Sequence, residues 1–217
     1  MSKGEKMQFF GAGTSRTFRP VWTAEELNLD YELVPIGPRT GETQTDEYTR
    51  LNPKQKIPVL VDGTFILTES VAICRYLINK YGGESTLYSP SDMEAHAKED
   101  EWVAYIYGEI DETSLYVMRR HGDLKAIYGE APQALDAARN YALKHLGVVA
   151  AHLKDKQFLV GNRFGVADIF LMSCLDWAFH YGLDLAESLK RYRNAISHRE
   201  AYKRAFTRNF SGQQLEQ

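Results

Sequence analysis

The sequence predicts an α/β unit followed by an all-helical one. Strand-like and helix-like pieces alternate over about the first eighty residues, the breakers Gly82-Gly83-Glu84-Ser85 interrupt them, and after Ser89-Pro90 no strand pattern returns. The domains expected from these breaks are residues 1–83 and 91–217, joined by a linker over 84–90. With 217 residues, the chain is long enough to bury a sizeable core without metal or disulfide support.

Taken in order, Met7-Gln8-Phe9-Phe10 reads as a strand that ends at Gly11-Ala12-Gly13, and Phe18 to Leu27 as an amphipathic helix. Proline belongs in a helix's first turn, so Pro20 implies that the regular helix starts near Thr17 or Phe18. Thr14 and Ser15 are then left in the preceding loop. Tyr31 to Ile36 alternates as a second strand and completes a βαβ unit. Ile57 to Val61 and Phe65 to Leu67 flank Asp62-Gly63, a hairpin signal, and Glu69 to Tyr81 continues as a helix with Val71, Ile73, Leu77 and Ile78 facing inward. The order is βαβ, then ββα. Beyond the break, helices are expected over 90–121, 132–154, 166–180, 186–196 and 198–209.

Composition narrows the function classes. Met1 to Lys6 is polar and lacks the apolar core of a secretory signal, and no apolar run reaches the ~20 residues that cross a bilayer, so a soluble, cytoplasmic protein away from membranes is expected. Cys74 and Cys174 make neither a disulfide framework nor a Cys-X-X-Cys motif. The histidines His96, His121, His145, His152, His180 and His198 show no ligand spacing, so no metal is expected. Formal net charge is −3, yet eight carboxylates fall between Asp92 and Glu112 and seven basic side chains between Lys190 and Phe210. Tyr192, Ile196, Tyr202 and Phe206 are interleaved with the basic residues near the helical period. That marks a helix with one packed and one solvated face, and no nucleic-acid partner is expected.

Three places can carry chemistry. A proline at Pro58 cannot donate to a ladder, so Ile57-Pro58 belongs at a strand start or edge; a trans bond is the ordinary arrangement, and a cis bond would turn the Ile57 backbone outward to pair with an extended peptide. Glu69-Ser70 opens a helix whose free N–H groups favour a carboxylate, although from these residues alone a Thr68 cap, with Glu69 complementing the helix dipole, is the ordinary arrangement. Gly13-Thr14-Ser15-Arg16 puts hydroxyls where a strand feeds a helix, either as a plain cap or as a ligand contact. Tyr105, Tyr107 and Tyr116, with Trp102, are aromatic residues of the acidic helix, read as core first and substrate pocket second.

In this order and ahead of a helical half, these segments resemble the glutathione transferase family. The resemblance is carried by Phe10 to Trp22 with Glu25-Glu26-Leu27, by Leu51-Asn52-Pro53-Lys54-Gln55-Lys56-Ile57-Pro58-Val59-Leu60, by Glu69-Ser70-Val71-Ala72-Ile73, and by Gly161 to Ile169 in the helical half. It implies a thioredoxin-like first domain, a cis bond at Pro58, glutathione as co-substrate and a small hydrophobic electrophile as second substrate. It also implies a homodimer. Carried over residue by residue, the cysteinyl backbone of glutathione pairs with Ile57, its γ-glutamyl carboxylate sits at Glu69 and Ser70, its glycyl end lies near Lys56 and Gln44, and Ser15 or its neighbour Thr14 activates the thiol. Tyr105 and Tyr116 are the pocket candidates, in an apolar cleft between the halves. The loop has neither an early tyrosine nor a cysteine at the Ser15 position, so it resembles the serine-using theta- or zeta-like branches. A binding module without turnover and a glutathione-dependent reductase, lyase or isomerase are the alternatives. Gly165 stands where the family has Ser or Thr as a helix cap, at an expected cost of a few tenths of a kcal/mol.

Overall fold

The computed structural model describes residues 6–83, 85 and 87–211. Residues 1–5 and 212–217, at the outer ends of the two expected domains, and Glu84 and Thr86 of the expected linker, lie outside the described residues. Two compact units divide the chain: residues 1–87 together with 198–217, and residues 88–197.

The first unit contains β1 (Met7–Phe10), α1 (Ser15–Glu26), β2 (Tyr31–Val34), α2 (Asp46–Leu51), β3 (Val59–Asp62), β4 (Phe65–Thr68) and α3 (Ser70–Tyr81). Its sheet has the order β2-β1-β3-β4, with β2 parallel to β1, β3 antiparallel to β1 and β4 antiparallel to β3. Phe9 is fully buried on β1, facing Leu33 on one neighbour and Leu60 on the other. The hairpin turn falls one residue later than the Asp-Gly pair suggested: Asp62 pairs with Phe65, and Gly63, at φ +61°, opens the turn with Thr64. Asp62 is thereby free to accept from Tyr76 at 2.6 Å and from Lys80 and Tyr81 at 2.7 Å, which ties the hairpin to α3.

Helix α1 begins earlier than its proline implied. Thr14 is the extended N-cap, its Oγ1 accepting from the Thr17 N–H at 3.1 Å, and Ser15 is the first helical residue. Ser15 is therefore not a loop residue, and Pro20 lies inside the helix. The cap and the burial of Thr17, Phe18, Val21, Trp22 and Ala24 outweigh the one backbone hydrogen bond that Pro20 cannot make.

The second unit holds α4 (Met93–Tyr105), a π-helical continuation over Ile106–Leu115, α5 (Tyr116–His121), α6 (Lys125–Tyr128), α7 (Pro132–His152), α8 (Val166–His180) and α9 (Glu187–Ser197). In the wide turns of the π stretch, Thr113 and Ser114 donate their hydroxyls to the carbonyls five residues back, at 2.7 and 2.6 Å. Gly165 leaves the first N–H of α8 without a side-chain cap from its own loop, and Glu99 of α4 supplies the acceptor: its Oε1 lies 3.2 Å from the Val166 N. A Cβ on Gly165 would sit 2.5 Å from that oxygen, so glycine here makes room for the carboxylate.

The last helix, α10 (Glu200–Phe210), was expected with the helical domain and instead belongs to the first unit, packed on α1. Phe18 and Trp22 meet Tyr202 edge-on at 5.5 and 5.0 Å, and Phe18 also meets Phe206 and Phe210. The basic side chains are not merely solvated: Arg199 forks onto Glu26 at 2.8 and 2.7 Å, while Arg204 and Arg208 reach Glu25 at 2.6 and 3.2 Å. Glu25 and Glu26 are buried and further bonded to Tyr31 and Trp22, so this attachment is charged as well as apolar. Among the described residues no group of acidic, histidine or cysteine side chains has the arrangement of a metal site, and no helix is long and apolar enough to cross a membrane.

Candidate functional site

Five of the candidate residues gather around three chain segments of the first unit, and each segment is held by its own local chemistry. The first is the turn from β1 into α1. Gly11 and Gly13 adopt φ of +121° and +69°, which lets the chain leave the sheet and enter the helix within four residues, Gly11 to Thr14. A Cβ on Gly11 would lie 2.7 Å from the Ile57 Cβ, so glycine brings this turn against the second segment. The two hydroxyls at the helix start are in different states. Thr14 Oγ1 is committed to capping and also lies 3.0 Å from Thr17 Oγ1, whereas the half-buried Ser15 makes no side-chain hydrogen bond among the described residues.

The second segment precedes β3. The Ile57–Pro58 peptide is cis. The β1–β3 ladder pairs Gln8–Phe10 with Val59–Val61, so Ile57 lies beyond its last pair, and its backbone is placed at the sheet's end. Asn52, which is buried, organises the approach: its Nδ2 donates to the Lys56 carbonyl at 2.7 Å, and its Oδ1 accepts from the Lys54 N–H at 3.1 Å. Tyr48 donates to the same Lys56 carbonyl at 2.8 Å, and burial, which pushes its hydroxyl up to about 12, keeps that donor protonated. The Lys56 side chain is exposed.

The third segment is the start of α3. Thr68 ends β4 instead of capping the helix, and among the described residues no side chain caps α3 in its place. Glu69, at φ +72°, turns the chain from strand to helix, and Ser70 is the first helical residue and is buried. The Glu69 carboxylate is taken by Lys54 at 2.6 Å, and the same ammonium reaches Thr68 Oγ1 at 2.6 Å.

The remaining candidates are placed less tightly. Gln44 sits exposed in a single 3₁₀ turn, Glu42–Gln44, after β2. Tyr105 and Tyr116 lie in the second unit, at the end of α4 and the start of α5. Tyr105 Oη is 2.8 Å from His145 Nδ1, and burial, with Glu109 nearby, raises its hydroxyl above the usual range. Sequence reasoning missed Tyr48, Lys54 and the organising role of Asn52. Asn52 and Lys54 fall inside the segment that carries the family resemblance, whereas the signal for Tyr48 was only that it falls within ten residues of Ile57-Pro58.

Both cysteines are fully buried, Cys74 inside α3 four residues past Ser70 and Cys174 inside α8, and burial pushes the Cys74 thiol up to about 12. We expect the native protein at neutral pH to leave a disulfide thiol reagent unreacted, and the denatured protein to titrate two thiols. Prompt reaction of one thiol in the native state would instead favour cysteine-based redox chemistry.

The arrangement has counterparts. Residues 5–79 match the family model of the glutathione S-transferase N-terminal domain, and residues 101–200 that of the C-terminal domain. The theta-1 glutathione S-transferase of Bos taurus is 35% identical over 151 residues, covering 67% of this chain and 62% of the relative. The theta-1 enzyme of Homo sapiens is 33% identical over 153 residues, with the same coverage. This chain thus spans a little under two thirds of the length of these relatives. Among solved structures, a glutathione transferase from Phanerochaete chrysosporium, crystallised with oxidized glutathione, shares the fold at TM-score 0.85 and 22% identity, over 99% of this chain and all of its own. A glutathione S-transferase-I bound with lactoylglutathione superposes at TM-score 0.79 and 26% identity, over 92% of this chain and 98% of its own. With both domain models matched in order across the two parts of the chain, the protein belongs to the glutathione S-transferase family.

Proposed function

We propose that the chain is a glutathione transferase of the serine-using kind, joining the glutathione sulfur to a small hydrophobic electrophile. The observation that carries this reading is the uncommitted Ser15 hydroxyl at the first residue of α1, beside a neighbour whose hydroxyl is spent on capping. In this reading glutathione lies extended along the sheet's end with its cysteinyl backbone at Ile57. Its γ-glutamyl carboxylate meets the uncapped start of α3 at Glu69 and Ser70, and its glycyl end lies toward Lys56 and Gln44. Ser15 donates a hydrogen bond to the sulfur, which loses its proton to solvent. The thiolate then forms the new C–S bond as the electrophile's leaving group departs. Lowering a thiol's pKa by about two units requires roughly 2.7 kcal/mol of preferential thiolate stabilisation, within the range of a charge-assisted hydrogen bond and a helix N-terminus acting together.

The working form proposed is a cytoplasmic homodimer, with Tyr105 and Tyr116 as electrophile contacts and no metal. Ser70→Ala removes a hydroxyl at the proposed carboxylate site without touching Ser15. It is expected to weaken glutathione binding about tenfold by titration calorimetry, with turnover at saturating glutathione close to wild type. No detectable heat from wild-type protein and reduced glutathione would overturn the reading. Binding without conjugation across halogenated aromatics, epoxides, isothiocyanates, peroxides and aryl ethers would replace it with a binding module.

A further inference from the structure

The turn that carries Ser15 is held from the far end of the chain. Gly13 donates its N–H to the Asn209 carbonyl at 2.8 Å, and the Asn209 Nδ2 donates to the Thr14 carbonyl at 3.2 Å. One residue of α10 therefore grips the two residues immediately before Ser15. The Asn209 carbonyl is among the last of its helix and has no intrahelical partner to lose, which leaves it open to Gly13. The grip is also anchored: α10 is fixed to α1 by the Arg199–Glu26 fork, by Arg204 and Arg208 on Glu25, and by the aromatic contacts of Tyr202, Phe206 and Phe210. The earlier part of the turn is tied to the β2 side, Gly11 and Ala12 donating to the Val34 and Ile36 carbonyls at 2.9 and 3.2 Å, so Asn209 supplies the hold on its last two residues from across the unit.

Stability alone does not explain Asn209. Its side chain is almost fully buried, and its Oδ1 finds no hydrogen-bond partner among the described residues. A buried amide satisfied on one side only is a poor choice for a core, where an apolar side chain of similar size would leave nothing unpaired. What asparagine adds at this site is the bond to Thr14.

We propose that Asn209 is a positioning residue, setting the backbone from which Ser15 presents its hydroxyl to the glutathione sulfur. This rests on the proposed role of Ser15, and the test separates the two. Wild type, Ser15→Ala, Asn209→Leu, Asn209→Ala and the double variant Ser15→Ala/Asn209→Leu are compared. The bound thiol's pKa is read from the thiolate's ultraviolet absorbance against pH, kcat and KM with a chloronitrobenzene, and Tm. Asn209→Leu is expected to keep or raise Tm, lower kcat about fivefold, raise the bound-thiol pKa by about half a unit or more, and leave the KM for glutathione within about twofold. In the double variant it is expected to add nothing to the loss caused by Ser15→Ala. If Asn209→Leu folds poorly, Asn209→Ala gives the same pKa comparison. A wild-type thiol pKa no lower than that of free glutathione overturns the Ser15 reading. A wild-type pKa that is lowered and stays lowered in both Asn209 variants overturns the Asn209 proposal alone, as does a full additive loss in the double variant.

Discussion

Ser15→Ala is expected to lower conjugation of a chloronitrobenzene by about tenfold or more in kcat, with the dissociation constant for glutathione nearly unchanged. The split follows from where the bond acts. A hydroxyl that donates to sulfur favours the thiolate over the thiol, so its removal weakens the charge-bearing state and leaves the contacts proposed for the rest of the tripeptide in place. Thr14→Ala is the matching control. Its hydroxyl caps α1 at the Thr17 N–H, so its loss is expected in Tm, by about 1 kcal/mol of stability, more than in chemistry. Unchanged turnover in Ser15→Ala would remove that residue from the mechanism, and a large loss of turnover at constant stability in Thr14→Ala would move the role to its neighbour.

The largest expected effect on stability is at Asp168. Its carboxylate accepts from the backbone N–H groups of Leu159 and Gly165, both at 2.9 Å, and from the Tyr192 hydroxyl at 2.7 Å, and all of this is buried. Asp168→Ala leaves those donors without their acceptor and is expected to cost about 3 kcal/mol or more at pH 7, measured by denaturant unfolding. Burial outweighs the three donors, and with help from nearby Glu99 it pushes the Asp168 carboxyl up to about 6 from 3.8. The folded protein therefore keeps this proton in a range where the unfolded chain has released it. Its contribution to stability should fall as pH rises from about 4 to about 6, narrowing the gap between wild type and Asp168→Ala. A gap that widens over that interval would show that the donors, not burial, govern the carboxyl.

How much of this was legible depended on how local each feature is. Strands and helices set by side-chain period were readable over most of Met7 to Tyr81, although the short α2 (Asp46–Leu51) passed for a connection, and the helix expected near 166–180 spans Val166–His180. The Ile57-Pro58 and Glu69-Ser70 positions were singled out from short segments, yet the residues alone favoured a trans bond and a Thr68 cap. Family resemblance, not local chemistry, pointed to the cis bond that the structure has. Long-range compensation was invisible. Gly165 looked like a cap with a small deficit, because the carboxylate that makes it good comes from Glu99, sixty-seven residues from the Val166 N–H that it meets. Pro20 misled in the other direction, since a first-turn rule could not weigh the buried face of α1 against one missing bond. The π stretch escaped because a 3.6-residue period carries no mark of a wider turn until hydroxyls such as Thr113 and Ser114 are seen to fill it.

The return of α10 to the first unit has a consequence for how the protein comes into being. On a ribosome the segment up to Leu87 emerges early but lacks the helix that covers Phe18 and Trp22 and neutralises Glu25 and Glu26. The contiguous stretch from Tyr88 to Ser197 is translated in full before that missing piece arrives. The unit begun first is thus completed last, and a nascent chain stalled short of residue 198 carries an unsealed aromatic face for a chaperone to shield.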